Sequence, residues 1–104
     1  ARLELEHIAF IDPHWDMFGP GAVGVGWDLG FMGLARHLAE PGADLPQEAV
    51  AGWHEQPEAK IFIRTASDGW GAAAIAAGEN RQQALTAAEA TRQFYTGEAA
   101  PPEM

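Results

Sequence analysis

Apolar and polar residues alternate along the first stretch of the chain. Leu3, Leu5, Ala9 and Ile11 fall on one face and Arg2, Glu4 and Glu6 on the other, which is the period of a half-buried strand. Ile8 and Phe10 make its far end apolar on both faces, so that end is expected to be covered on both sides. Asp12-Pro13 is expected to end the strand. No second convincing strand follows, because Ile61-Phe62-Ile63 lies inside a longer helical pattern. A single strand leaves its backbone donors and acceptors unpaired. Leu3–Ile11 is therefore expected to pair with residues outside this chain, either as the C-terminal piece of a larger protein or between subunits.

Beyond Gly19 the period becomes helical. Gly19-Pro20 opens a helix expected to run to about Leu38, with proline at the favoured first position and Pro41-Gly42 as its stop. Asp44-Leu45-Pro46-Gln47 resembles a capping box for a short helix from Leu45 to about Trp53. Pro57 opens a third helix that runs to Gly78. Asn80, with Gln83 three residues on, caps a fourth that ends at Tyr95 before Gly97. Residues 99–104 read as a frayed tail. No repeat or low-complexity tract is visible.

Within the long helix, Val23, Trp27, Phe31 (or Gly30), Leu34 and Leu38 form a bulky stripe, and Ala22, Gly26, Gly30, Gly33 and His37 an almost side-chain-free one. The helix is apolar nearly all round, which predicts burial on more than one side. The bulky stripe suits a curved sheet or an apolar cavity. The glycine stripe lets another backbone approach, and the Ala-rich helices Ile61–Ala77 and Gln82–Tyr95 are its natural partners. Each glycine inside a helix costs about 0.5–1 kcal/mol relative to alanine, so several on one helix need a reason.

Composition narrows the functional classes. The 104 residues carry 15 Asp+Glu against 6 Lys+Arg, a formal charge of −9. That balance argues against nucleic acid, which needs a basic footprint, and against anionic membrane surfaces. Hydrophobic residues make up 47 %, but 21 of them are Ala, and Leu, Ile, Val and Phe together number only 20. That is a small supply of large side chains for an independent core. The chain has no cysteine, which removes thiolate chemistry, disulfides and thiolate metal sites. No charged n-region followed by an apolar h-region opens it, and the expected location is cytoplasmic. A membrane span over residues 17–35 is opposed by Asp28 near its middle, at about 2.5–3.5 kcal/mol.

Gly19-Pro20-Gly21-Ala22-Val23-Gly24 spells G-x-G-x-x-G, but it does not directly follow a strand and no strand comes after its helix, as dinucleotide binding requires. The histidines His7, His14, His37 and His54 include no pair at metal-binding helix spacing. Asp12, His14 and Asp16 alternate, yet lack further ligands, so no metal site is assigned. Ser67, the only serine, has no nucleophile elbow around it. Glu4 and Glu6 read as a solvated outer face. No catalytic residue and no cofactor are assigned.

The stretch Arg2-Leu3-Glu4-Leu5-Glu6-His7, then Trp15, then Gly26-Trp27-Asp28-Leu29 leading to Leu34-Ala35-Arg36-His37-Leu38 resembles the end of START-like (SRPBCC) proteins. The branch it is most similar to is the heat-shock-ATPase-activator-like group. The resemblance covers residues 2–39, and the helices of residues 45–96 resemble an extension found in part of that branch. It implies an α+β helix-grip fold, in which a curved sheet wraps a long C-terminal helix around an apolar cavity. The implied division is 1–40 for the last strand and gripping helix, 41–98 for a helical extension and 99–104 for a tail.

On that resemblance Trp15, Phe18, Val23, Trp27 and Phe31 are candidates for the wall of a cavity holding a small apolar ligand. Asp28 is the one polar candidate, either in the pocket or as a structural link to Arg64, Arg36 or a backbone amide. The alternative function is a co-chaperone-like protein-interaction module, with a protein partner or a homodimer, and the third a cyclase-type enzyme.

Overall fold

The computed structural model describes residues 1–42 and 52–98. Among them are four α-helices, α1 (Pro13–Phe18), α2 (Gly21–Ala39), α3 (Pro57–Ala76) and α4 (Arg81–Thr96), with one 3-10 turn at Trp53–Glu55. No strand occurs among the described residues. The α+β helix-grip fold expected from the resemblance to START-like proteins is thereby overturned, since that fold is built around a curved sheet. Residues 1–12 adopt no regular secondary structure, and all are exposed. The alternation from Arg2 to Ile11 is a pattern that a strand could use, but no strand among the described residues supplies the neighbouring backbone it needs.

Asp12-Pro13, expected as a terminator, instead starts a helix. The Asp12 carboxylate accepts from the Trp15 N–H at 2.9 Å, and Pro13 takes the first helical position, where its missing N–H costs nothing. Gly19 then turns the chain at φ +61°. Helices α2, α3 and α4 follow their sequence signals closely. Pro57 sits at the start of α3, and the Asn80 side chain accepts from the Gln83 N–H at 3.0 Å. Gly97 closes α4 at φ +77°. Most of the short helix expected between Leu45 and Trp53, and the tail 99–104, lie outside the described residues.

The core is made of small side chains. Its buried apolar members are Phe18, Val25 and Ile63 together with Ala22, Ala59, Ala74, Ala84, Ala87 and Ala88. On α3 the inward stripe is Ala59, Ile63, Ser67, Gly71 and Ala74, and on α4 it is Ala84, Ala87, Ala88 and Thr91. These two helices form the most extensive pair in the fold. They approach so closely that a Cβ added at Gly71 would lie 3.0 Å from the Ala88 Cβ. Buried Thr91 ties α4 to the end of α1, its hydroxyl lying 2.9 Å from the Ala87 carbonyl and 3.2 Å from that of Phe18. One proton serves both acceptors.

A candidate protein-interaction surface on α2

The two sides of α2 meet different surroundings. Gly21, Ala22, Gly24 and Val25 are its buried residues, so close packing is confined to the N-terminal half of the helix. A Cβ at Gly21 would lie 2.8 Å from the Thr91 hydroxyl oxygen, and one at Gly24 would lie 2.1 Å from the Trp70 indole. Glycine at position 24 is what admits that indole. Once there, Trp70 Nε1 donates to Asp28 Oδ2 at 2.8 Å, one helical turn beyond Gly24. The partner of Asp28 is thus Trp70, and not Arg64, Arg36 or a backbone amide as expected of a structural link.

Tyr95 secures the same half of α2 from the other flank, its hydroxyl donating to the Ala22 carbonyl. Burial pushes the Tyr95 phenol above its ordinary range, against an opposing backbone hydrogen bond at Gly26. The side-chain-free stripe is thus used in part. Gly26 lies against the Tyr95 hydroxyl, whereas among the described residues nothing stands within 4 Å of a Cβ placed at Gly30 or Gly33.

The bulky stripe is bare. Val23, Trp27, Phe31, Leu34 and Leu38 are between 37 % and 67 % exposed, so the surface expected to bury against a sheet stays substantially open to solvent. The exposed N-terminal segment adds Leu3, Leu5, Ile8, Phe10 and Ile11. It meets the stripe where Trp27 Nε1 donates to His7 Nδ1 at 3.0 Å and the rings stand edge to face at 6.0 Å. Scattered exposed hydrophobics are ordinary on a protein surface. An aligned run of five on one helix face, next to five more, is a patch of the kind that marks interaction sites.

The candidate ligand residues do not gather around a cavity. Phe18 is buried, packing edge to face against Phe94 at 5.5 Å. Trp15 and Phe18 border an interior space of only about 20 Å³, room for roughly one water. Ser67, whose buried hydroxyl finds no partner, borders the same space. An open groove of about 580 Å³ runs past Leu29, Met32, Trp53, Ile63 and Tyr95, and none of the five candidates lines it. With no sheet and no enclosed apolar chamber beneath α2 among the described residues, the START-like ligand-binding function is corrected together with its fold.

The remaining polar groups have structural uses. Asp12 caps α1, and the His14 ring lies 4.8 Å from that of Phe18. Among the described residues no group of three or more His, Asp or Glu could hold a metal ion. None of their helices is long and apolar enough to cross a membrane. At the end of α4, Arg92 binds Glu89 at 2.6 Å and also pairs with Glu98. A hydrogen bond from Arg92 holds the Glu89 carboxyl below its ordinary value. The Glu98 carboxyl is held down by Thr96 first and Arg92 next.

Trp70 and Tyr95 position α2, and neither was singled out in the sequence as a contact of that helix. A signal existed for Trp70. It falls seven residues after Ile63 and four before Ala74, on the inward stripe of α3. No protein-family model matches this chain, and no curated protein or solved structure matches it significantly.

Proposed function

We propose that this chain is a protein-interaction module whose docking face is the outer side of α2. The observation that carries this is the bare stripe Val23, Trp27, Phe31, Leu34 and Leu38 on a helix whose opposite side is locked by Trp70, Thr91 and Tyr95. A helix fixed on one side and apolar on the other presents rigid anchors, so a partner loses little to ordering the surface it meets. Large aromatic and aliphatic side chains at one- and two-turn spacing are the usual anchors of helix-mediated recognition. The co-chaperone character belonged to the family resemblance and is set aside with it. The cytoplasm is the setting this proposal assumes, and a cysteine-free composition is compatible with it.

The test is site-specific photo-crosslinking in native extract, with the reactive group at Leu34 or, as a control on exposed α4 surface, at Gln82. Defined protein adducts at Leu34 and none at Gln82 are expected. Equal labelling at both positions, or none at Leu34, contradicts the assignment.

A further inference from the structure

We infer that the occupant of the outer α2 face is a second copy of this chain, paired about a two-fold axis; this rests on the docking face proposed above and names its partner. Charge is the first argument. The chain is strongly acidic, yet between Asp16 and Arg36 its only charged residue is Asp28, and that carboxylate is engaged by Trp70. A basic partner would be drawn to the acids, which lie elsewhere. The stripe itself offers it nothing ionic. Two copies meeting on the α2 stripe bring neutral surface against neutral surface, and the only acids the adjoining N-terminal segment adds before Asp12 are Glu4 and Glu6, Glu4 being paired with Arg2 at 3.6 Å.

Shape is the second argument. Trp27, Phe31, Leu34 and Leu38 follow the four-three-four spacing of a helix-pairing seam. Beside them Gly30 is an open notch among the described residues. Knobs and a notch on one face make a surface that can complement itself, as a two-fold interface requires.

Area is the third. At their fractional exposures, and with large side chains offering about 150–250 Å² each, the five α2 side chains leave roughly 400 Å² uncovered per copy. Two such stripes fall short of the roughly 1,200 Å² of total burial that stable interfaces reach. Leu3, Leu5, Ile8, Phe10 and Ile11 are as bare or barer, and they add roughly 600 Å² per copy on the same bookkeeping. Complete burial of both surfaces in the pair would remove about 2,000 Å² at most, the upper end of the standard range. Stable pairing thus requires the N-terminal segment as well as α2, with His7 on Trp27 as a point where the two already meet.

Sedimentation of the full chain from about 1 µM to about 1 mM tests this, with Leu34→Glu, Phe10→Ser and Gln82→Glu run alongside. The wild type is expected to dimerise, and more tightly as salt rises, because added ions screen the repulsion between two copies of charge −9. Leu34→Glu and Phe10→Ser should each weaken pairing by about tenfold or more, with unchanged helix content by circular dichroism, and Gln82→Glu should have little effect. A wild type that stays monomeric throughout overturns the inference. So does a dimer indifferent to both apolar substitutions, or one that salt dissociates. If the wild type is monomeric but Leu34 still crosslinks to other proteins, the docking face stands and only its occupant is wrong. Loss of both results removes the docking face as well.

Discussion

One helix, two sides: the inward half of α2 is built from Gly21, Ala22 and Gly24 with Val25 as its one sizeable side chain, and its outward side from the largest in the segment. On the inward side Gly21 and Gly24 let Thr91 and Trp70 come within distances no Cβ would allow. On the outward side Trp27, Phe31 and Leu34 reach solvent. The usual association of large apolar residues with the core is reversed along this helix. Position relative to neighbours, and not hydrophobicity, decides which side is core, because small residues gain by proximity what they lack in area.

The comparison breaks most readily at position 24. Gly24→Ala forces the Trp70 indole to move and disturbs its hydrogen bond to Asp28, so it is expected to destabilise by about 1–3 kcal/mol. That corresponds to a melting temperature lower by roughly 4–8 °C per kcal/mol. Next is Thr91→Val, which keeps the shape but leaves the Phe18 carbonyl without its donor, for about 1–3 kcal/mol by denaturant titration. The same glycine change on the outward side should have the opposite sign. Gly30→Ala meets open space, relieves the entropic penalty of a helical glycine and is expected to stabilise the monomer by about 0.5–1 kcal/mol. Opposite signs at 24 and 30 would establish the two-sided character of α2, and equal signs would remove it.

The smallest effect belongs to the end of α4, far from this contrast. Glu89 and Glu98 have carboxyls held below their ordinary value of 4.5. Their contribution is therefore complete above the ordinary carboxylate range and is lost as pH falls through the lowered folded values. Amide exchange should show the last turn of α4 fraying on that acid side, while exchange in α2 stays unchanged over the same interval.

Much of the helical layout was legible because caps are local. Pro57, Asn80 with Gln83, and Gly97 each specify a helix end within a few residues of themselves. The first strand was misread because alternation is also local, whereas a strand depends on a neighbour that no local pattern guarantees. Asp12-Pro13 was ambiguous in the same way, since the pair can break the segment before it or cap the helix after it. The sequence also exposed the bulky stripe as a unit, residue for residue, and placed the Ala-rich helices against α2. It also named the small-residue side for them, but centred it on Ala22, Gly26, Gly30 and Gly33, whereas the buried residues are Gly21, Ala22, Gly24 and Val25. The difference depended on Trp70 finding a glycine with an acid one turn further on, a long-range fit between α3 and α2 that neither segment announces alone.

The absence of cysteine allows a direct test of the two-sided helix, since a single introduced thiol reports on its own position. Leu34→Cys and Val25→Cys, labelled with a thiol reagent at a concentration where the chain is monomeric, compare the outward and inward sides. The bare outer face predicts that Leu34→Cys reacts nearly as fast as a free thiol, while Val25→Cys is protected until the fold opens. Protection at Leu34 in the folded monomer, comparable to that at Val25, would mean the stripe is covered within the chain and would contradict the docking face outright.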